Sequence, residues 1–384
     1  MKKVFFSLLV LTLSFATQSC SDDDSGSNQV SNRAEAIKNY TNIVHANYSE
    51  AYWDAVELED AINSFNLAPT LEAFEAVKLK WKEARESYGT TEAFRFEGSP
   101  VETVYNQINA WPLDEAYIDY TDTDATAGII NNTTAYPELT KEVLSSLNQV
   151  GGAANISTGY HAIEFLLWGQ DLTAPADNLS GQRPYTDFVD GEEGTAENQD
   201  RRRQYLSLCA DLLTDNLESL AGVWAEGGSY RATFLALDEA TALQNIFQGI
   251  INVTGTKLPT ELINAVTSQN QENEQSQFSD YTQRDFMTAF KGVLNVYRGQ
   301  YGTVTGTGIQ VLVYQGSTEV YTDTQDAITL AEDSLEAIVY PFDYAISGGP
   351  ESEEGKKVVT AAEDLTALAE QLRTSATTAG VSVQ

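Results

Sequence analysis

Apolar and aromatic residues recur at intervals of three and four along most of the chain, and this spacing constrains the fold more than any other feature. The repeat runs through residues 39–65, and in residues 71–94 it continues through Phe74, Trp81 and Tyr88. Such spacing places the apolar side chains on one face of an α-helix. No convincing alternation of apolar and polar residues is present, so the sequence predicts an all-α protein.

Short breaks, many of them rich in glycine, divide the predicted helices. These helices cover residues 39–65, 71–94, 137–150, 157–169, 200–225, 230–253, 259–267, 279–301, 318–346 and 353–376. The pair Gly227-Gly228 separates two long helical stretches. Because long helices joined by short breaks form bundles, we expect two up-and-down helical bundles in series, in residues 33–226 and 229–384.

The N-terminus has the layout of an export signal. Two lysines follow Met1, an apolar run covers residues 4–16, and small residues lead to Cys20. The run is too short to span a bilayer, so residues 1–19 are predicted to be a signal peptide. A cysteine at the expected cleavage site is typical of bacterial lipoproteins, and two acyl chains on Cys20 would form a stable membrane anchor.

The residues after Cys20 are polar, and residues 20–32 are expected to form a flexible, lipidated tether. Three aspartates at positions 22–24 resemble the acidic tag of cell-surface lipoproteins in one Gram-negative phylum. We therefore expect an exported outer-membrane lipoprotein that is exposed at the cell surface. Ordinary signal cleavage that leaves a free Cys20 is the alternative.

The charge balance disfavours one class of partner. The chain has 22 basic and 56 acidic residues, a net charge of −34. This field repels nucleic acid and anionic membranes and attracts cations, although the solubility of a surface protein explains the same balance. Apart from Cys20, Cys209 is the only cysteine, so a disulfide framework is excluded and the fold must be stable through burial.

One apolar segment carries two ionisable residues. His161 and Glu164 stand three residues apart within residues 159–169, and on a helix they would share a face. They could bind one metal ion, or Glu164 could fix the tautomer of a metal-bound imidazole. A hydrogen-bonded core pair explains the same spacing, because an unpaired histidine or glutamate would be costly there.

The scarcity of histidine limits the kinds of site that the chain can build. His45 and His161 are the only histidines, and the His-Glu-x-x-His motif of zincins is absent. A metal site of two histidines and one carboxylate would need His45, His161 and Glu164 together. The position of His45 is more typical of a residue at the border of a helix face than of a metal ligand. A serine or cysteine triad would need one of the same histidines as its base, and no nucleophile elbow is present.

Three further segments hold charged residues beside aromatic residues or at predicted helix starts. They contribute Glu92 and Arg95, then Asp114 and Glu115, and finally Asp280, Arg284 and Asp285. Capping and stabilisation of the helix dipole explain acids at helix starts. In the third segment, Ser279 is the expected N-cap.

Together these segments resemble the imelysin family, the iron-regulated, peptidase-like lipoproteins. Residues 159–164 match the family's Gly-x-His-x-x-Glu motif, and residues 91–96, 108–115, 278–285 and 294–297 resemble further family segments in the same order. The resemblance covers nearly all of the mature chain. It implies two helical bundles with a shared site between them that contains His161 and Glu164, with Glu92, Arg95, Asp114 and Asp280 nearby. Secondary candidates for the site are His45, Glu115, Arg284 and Asp285.

One departure from the family pattern concerns a candidate ligand. Many relatives have a His-Ser pair shortly before the Phe-Ser-Asp stretch, whereas this chain reads Glu-Gln-Ser-Gln at residues 274–277. A ligand of the family pattern is therefore missing, which weakens the interpretation as a zinc peptidase.

We consequently expect a non-catalytic or weakly catalytic binding protein of an iron-uptake system. It would hold a metal ion or a metal-containing ligand between the bundles, with other iron-uptake components as partners, because iron binds imidazole and carboxylate ligands. One alternative is a metallopeptidase in which His161 and Glu164 bind zinc or activate water. The other is an adhesion or partner-binding lipoprotein in which the motif is structural.

Overall fold

The computed structural model describes residues 24–383, with side chains from residue 32 onward. The predicted signal peptide of residues 1–19 and the anchor Cys20 lie outside the described residues. The first helix begins at Asp24, which falls inside the predicted tether of residues 20–32. Within the described range, no helix is both long and apolar enough to cross a membrane.

The structure is about 69% helical with almost no strand, which confirms the predicted all-α class. The longer helices are α1 (Asp24–Leu67), α2 (Leu71–Gly89), α8 (Gln199–Trp224), α10 (Glu239–Asn252), α11 (Leu258–Ser268), α12 (Thr282–Arg298), α14 (Thr318–Glu336) and α16 (Glu353–Thr378). The shorter helices are α3 (Tyr105–Ile108), α4 (Glu115–Ile118), α5 (Gly128–Asn131), α6 (Lys141–Leu147), α7 (Tyr160–Trp168), α9 (Ser229–Leu235), α13 (Ile309–Gly316) and α15 (Phe342–Ser347). Two short strands, β1 (Gln300–Tyr301) and β2 (Val304–Thr305), pair antiparallel.

Helix α2 shows how the apolar stripe becomes packing. The Thr70 hydroxyl accepts a hydrogen bond from the Ala73 backbone amide and caps the helix start. The predicted stripe of Phe74, Trp81 and Tyr88 is buried. The helix ends at Gly89, short of the predicted end at residue 94, because residues 90–94 continue as a 3-10 turn.

Two groups of helices pack around one continuous apolar core. Helix α1 packs against α2 and α8, while α16 packs against α11 and α14. Helix α12 contacts α2 and the turn at residues 90–94 as well as α14, so it joins the two groups. Gly227 and Gly228 lie in the link between α8 and α9. The division into two domains at this link stays a prediction.

Three local predictions differ from the structure. The predicted helix of residues 318–346 is two helices, because Pro341, which lacks a backbone N–H, precedes α15. The helix predicted over residues 279–301 ends at Arg298, because the chain then forms the β1–β2 hairpin, where Gly302 adopts a positive φ of 53° in the turn. Ser279 is not the N-cap of α12, because that helix begins at Thr282 and the Ser279 side chain bonds elsewhere.

The turn at residues 90–94 lies tightly between α10 and α12. A Cβ atom placed on Gly249 would collide with the carbonyl oxygen of Ala93, and one on Gly292 would collide with that of Thr90. Both glycines therefore allow a helix to approach the backbone of the turn directly. The turn carries Glu92, so this close packing also sets the position of that carboxylate.

Replacing Gly292 with alanine is expected to destabilise the protein by about 1–3 kcal/mol, because the backbone of the turn has no room to move. Chemical unfolding followed by circular dichroism measures the loss. Gly222→Ala is the matched control, since nothing lies within 4 Å of a Cβ at this position in α8. It should raise stability by roughly 0.5–1 kcal/mol through helix propensity. Equal effects of the two substitutions would contradict the close packing.

Candidate functional site

His161 and Glu164 lie one turn apart on α7, which is buried along its whole length. The side chains are 2% and 0% exposed. His161 Nδ1 lies 2.8 Å from Glu164 Oε2. The other carboxylate oxygen, Oε1, accepts hydrogen bonds of 3.0 and 2.7 Å from the backbone amide and the hydroxyl of Ser279. Both oxygens of Glu164 therefore have partners.

Two contacts place α7 against its neighbours. The indole nitrogen of Trp81 on α2 donates a 2.9 Å hydrogen bond to the carbonyl oxygen of Tyr160. Gly159, just before α7, has a φ of 86°, and a Cβ there would collide with the carbonyl of Ile108. The glycine of the Gly-x-His-x-x-Glu motif is thus required by backbone conformation and by space.

The surroundings of the pair favour an uncharged imidazole. Burial, followed by the positive charge of Arg85, lowers the pKa of His161 to about 3. Burial raises the pKa of Glu164 to about 8, against the effect of the Ser279 hydrogen bonds. His161 Nε2 is buried and has no hydrogen-bond partner among the described residues. The imidazole is therefore neutral at neutral pH, with one nitrogen tied to Glu164 and the other unpartnered.

A second ion pair lies beside the first and joins α2 to α12. The guanidinium of Arg85 donates to Asp285 Oδ1 from Nε at 3.0 Å and from Nη2 at 2.5 Å. The two side chains are 1% and 3% exposed. The Ser276 hydroxyl donates to Asp285 Oδ2. The charges of Arg85 and Asp285 both act on His161, so the two pairs form one buried polar cluster.

Hydrogen bonds lead from this cluster towards solvent. Arg85 Nη1 donates a 2.6 Å hydrogen bond to Asn109 Oδ1, and Asn109 Nδ2 donates one of 3.0 Å to Glu92 Oε1. Glu92 lines a cleft of about 560 Å³. The buried ion pair and the cleft are thus joined through a single asparagine.

The cleft carries charges of both signs. Among its lining residues are Glu92, Arg95, Glu102, Tyr105, Lys257 and Glu261. Arg95 donates to Glu102 and lies 3.7 Å from the ring centroid of Tyr105. Lys257 Nζ donates to Glu261 at 2.7 Å and to Gln275 at 3.2 Å. Lys257 ends a π-helical turn, Val253–Lys257, between α10 and α11, a conformation that is frequent at functional sites.

The predicted site residues divide into those at the cleft and those elsewhere. Glu92 and Arg95 line the cleft. His161 and Glu164 do not line it, because α7 is buried along its whole length. The charges of Lys257 and Glu92, which line the cleft, act on His161.

Four predicted residues are placed apart from the cluster. Asp114 is exposed and accepts a hydrogen bond from the Ala116 amide, so it only caps α4. The acids whose charges act on Glu115 are Glu272, Asp114 and Asp122. His45 is partly exposed on α1, and Arg231 is the charged neighbour that acts on it. Arg284 pairs at the surface with Glu86 at 2.7 Å.

Two predicted residues of the third segment lie in different surroundings. Asp285 belongs to the buried cluster through Arg85. Asp280 is buried, but its carboxylate lies with those of Asp171 and Asp343. Two aspartates of one short segment therefore belong to two different clusters of side chains.

Several site residues were missed by the sequence interpretation. Arg85 had a detectable signal, because it falls four residues after Trp81 in the apolar stripe of α2, where a charge is unexpected. Lys257 precedes its partner Glu261 by four residues, a spacing that indicates an ordinary pair on a helix. Asn109 lies within residues 108–115, but its partners Arg85 and Glu92 are distant in sequence. Gln275, within the stretch of residues 274–277 that departs from the family pattern, accepts a hydrogen bond from Lys257 through its amide oxygen.

Comparisons with known proteins agree with this architecture. Iron-regulated protein A of Synechococcus elongatus is 22% identical over 333 residues, which cover 84% of this chain and 79% of that protein. A crystal structure from Parabacteroides distasonis, provisionally described as an iron-regulated protein A precursor, has a TM-score of 0.66 at 16% identity and covers 90% of this chain and 95% of its own. An imelysin-like protein from Psychrobacter arcticum has a TM-score of 0.61 at 12% identity, covering 96% and 100%.

The two crystal structures establish the shared fold. A family model establishes the family as well. The model is described as imelysin, is classed among the peptidases and matches residues 44–374. This range covers most of the 384-residue chain and includes the histidine motif, the buried ion pair and the residues of the cleft. The chain belongs to the imelysin family.

Proposed function

We propose that this protein is a non-catalytic binding protein of an iron-uptake process, which holds a metal ion or a metal-containing ligand with the His161–Glu164 pair and the cleft that Glu92 and Lys257 line. The observation that carries the proposal is His161 Nε2, a buried ring nitrogen without a hydrogen-bond partner among the described side chains. An unpartnered buried polar atom is costly unless a ligand engages it.

The His161–Glu164 pair has the arrangement that metal-binding histidines use. Two protonation patterns fit the 2.8 Å contact between them. Either protonated Glu164 donates to Nδ1 and Nε2 carries the ring proton, or Nδ1–H donates to the carboxylate and Nε2 carries a lone pair. The second pattern presents a metal ligand whose orientation is held by a carboxylate. The neutrality of the imidazole favours metal binding, since a protonated ring has no free lone pair.

The cleft extends the proposal from a bare ion to a small ligand. Its volume of about 560 Å³ lies in the range of small-molecule sites. Glu92 and Glu261 provide oxygen atoms, whereas Arg95 and Lys257 provide positive charge. A chelate that carries its own acidic groups around a metal ion would meet both kinds of partner.

The link to iron rests on family membership and on the relative named iron-regulated protein A in Synechococcus elongatus. The alternative of a zinc peptidase has weaker support, since catalytic zinc keeps an open position for water and has several protein ligands. His161 is 2% exposed, and Arg231 is the charged neighbour of the other histidine, His45.

Metal analysis of the purified protein, followed by titration with ferric citrate, ferrous iron and zinc, tests the proposal. We expect saturable binding of an iron species and no hydrolysis of a denatured polypeptide. Zinc-dependent hydrolysis would establish the peptidase instead. Absence of binding to all three probes would leave the motif with a structural role, as in an adhesion protein.

We also propose that the protein acts as an outer-membrane lipoprotein exposed at the cell surface. Cys20→Ala is expected to move the protein from the membrane fraction to the soluble fraction, because two acyl chains supply the anchor. Fractionation and immunoblotting measure the change. Cys209→Ala is the control, since Cys209 is buried in α8 and should not affect anchoring. Unchanged fractionation of the Cys20→Ala protein would contradict the lipid anchor.

A further inference from the structure

Three aspartates from distant parts of the chain meet beside the segment that holds Glu164. Asp171 follows α7, Asp280 follows Ser279, and Asp343 lies in α15. Each offers one carboxylate oxygen, and the three oxygens lie within 4.8 Å of one another. Two oxygens on opposite sides of a calcium ion would be roughly that far apart, since each lies about 2.3–2.6 Å from the ion. One ion could therefore contact all three aspartates.

A fourth buried carboxylate, that of Glu274, lies near this group. Glu274 is only 2% exposed, and its Oε1 atom has no hydrogen-bond partner within the described part of the chain. The negative charges that act on Glu274 are those of Asp343, Asp280 and Asp171, so its carboxylate lies near the three aspartates. A buried carboxylate oxygen without a partner costs free energy unless a cation or a donor occupies the adjacent space.

The remaining hydrogen bonds leave oxygens available. Asp171 Oδ1 accepts from the amide and the hydroxyl of Thr173, while Asp171 Oδ2 is buried without a partner. Asp343 Oδ1 accepts from the Tyr344 amide at 2.6 Å. Between residues 32 and 383, no hydrogen bond joins the carboxylates of Asp171, Asp280 and Asp343 to one another.

The nearby positive charge does not balance four acids. Lys82 is the lysine whose charge acts on Asp280. Its Nζ atom lies 5.7 and 5.5 Å from the ring centroids of Trp168 and Tyr281. Burial and the mutual repulsion of the acids raise the pKa of Asp280 to about 7. The ionised form of the cluster thus needs more positive charge than Lys82 supplies.

We infer that Asp171, Asp280 and Asp343, with the unpartnered carboxylate of Glu274 nearby, form a binding site for a divalent cation that prefers oxygen ligands, with calcium as the best fit. The cluster offers carboxylate oxygens and contains neither imidazole nor thiolate, which favours calcium, magnesium or manganese over softer metals. Calcium fits better than magnesium, because magnesium requires near-ideal octahedral geometry and retains several waters. The site is separate from His161 and does not depend on the proposed function.

An ion in this site would connect the loop after α7, the loop before α12 and helix α15. The loop before α12 contains Ser279, which donates two hydrogen bonds to Glu164. The cation would therefore hold in place the segment that positions the Glu164 carboxylate. This gives the site a structural role in the same region as the candidate functional cluster.

Calorimetric titration with calcium chloride, together with thermal unfolding in calcium and in chelator, tests the inference. The wild-type protein should bind one calcium ion and melt at a higher temperature when it is present. Asp343→Asn should weaken calcium affinity by at least about tenfold, because the charge of the ligands sets affinity. Asp177→Asn, which neutralises an exposed acid of the same loop as Asp171, should leave calcium affinity unchanged.

Two further readouts keep the test independent of folding defects and of the proposed function. In chelator, the Asp343→Asn protein should melt no lower than the wild type, because an unbalanced buried charge has been removed. The His161→Ala protein should keep its calcium affinity whatever its behaviour towards iron. Absence of calcium binding by the wild type at millimolar concentration would overturn the inference. So would unchanged affinity of the Asp343→Asn protein, or loss of calcium binding on His161→Ala.

Discussion

The His161→Ala protein is expected to lose the metal binding of the wild type completely. His161 offers the unpartnered ring nitrogen at the site, and Glu164 orients it through the 2.8 Å contact at Nδ1. Without His161 the cluster has no imidazole nitrogen to bind a metal ion, since the other histidine, His45 on α1, lies near Arg231. Titration with ferric citrate and with ferrous iron, read by calorimetry and by metal analysis after gel filtration, measures the loss.

The same substitution should also affect stability. Glu164 keeps the two hydrogen bonds from Ser279 but loses its imidazole partner inside a fully buried helix. A cost of about 1–3 kcal/mol is therefore expected from the stranded carboxylate, and a cavity adds to it. Thermal unfolding of the metal-free protein measures this effect separately from binding.

His45→Ala is the control for metal binding, because it removes the other histidine of the sequence at a partly exposed position on α1. Its metal binding should equal that of the wild type. If the His161→Ala protein is destabilised but still binds iron normally, His161 is a structural residue and the proposed site is wrong. Loss of binding in both variants would instead place both histidines in one site.

Replacing Arg85 with methionine is expected to destabilise the protein by about 3–5 kcal/mol, because it leaves the charge of Asp285 buried without its partner. Arg85 and Asp285 are 1% and 3% exposed, and two hydrogen bonds join them. Methionine preserves much of the apolar packing of the arginine side chain, so the loss reports mainly on charge. Urea unfolding of the metal-free protein gives the change in free energy.

The chain offers a matched control one residue away on each helix. Glu86 and Arg284 also join α2 to α12, but their side chains are 34% and 49% exposed. Arg284→Met should therefore cost less than about 1 kcal/mol, as for other surface ion pairs. Equal costs for the buried and the exposed pair would contradict the role of burial.

The double variant Arg85→Met with Asp285→Leu separates the pair from the stranded charge. Replacing a buried ion pair with apolar residues is often neutral or stabilising, so the double variant should recover much of the stability lost in Arg85→Met. Leucine at position 285 has no carboxylate, so the Ser276 hydroxyl would lose its acceptor, Asp285 Oδ2. This loss limits the recovery. A double variant no more stable than Arg85→Met would show that the pair itself, with its geometry, stabilises the fold.

The helical class and the stripe of α2 were predictable because they depend on residues close in sequence. An α-helix has 3.6 residues per turn, so Phe74, Trp81 and Tyr88 identify one buried face without knowledge of their partners. The contact between His161 and Glu164 was predictable for the same reason. Both lie on one helix, and their separation of one turn brings them together wherever the helix is placed.

Helix ends and turns were less predictable. The helix predicted to begin at Ser279 begins at Thr282, because the Ser279 hydroxyl donates to Glu164, 115 residues earlier in the chain. A capping pattern in the sequence shows that a side chain can bond the local backbone. It cannot show that a distant carboxylate competes for the same hydroxyl.

The sequence by itself determined the helical periodicity, the absence of a disulfide framework and the local geometry of the His161–Glu164 pair. Only the tertiary structure decided which charges meet. Arg85 pairs with Asp285 across 200 residues, and Asp280 lies with Asp171 and Asp343 although Asp285 is close to it in the chain. The physical reason is that burial makes an ionisable group depend on whichever partner the packing of distant helices brings within a few ångströms.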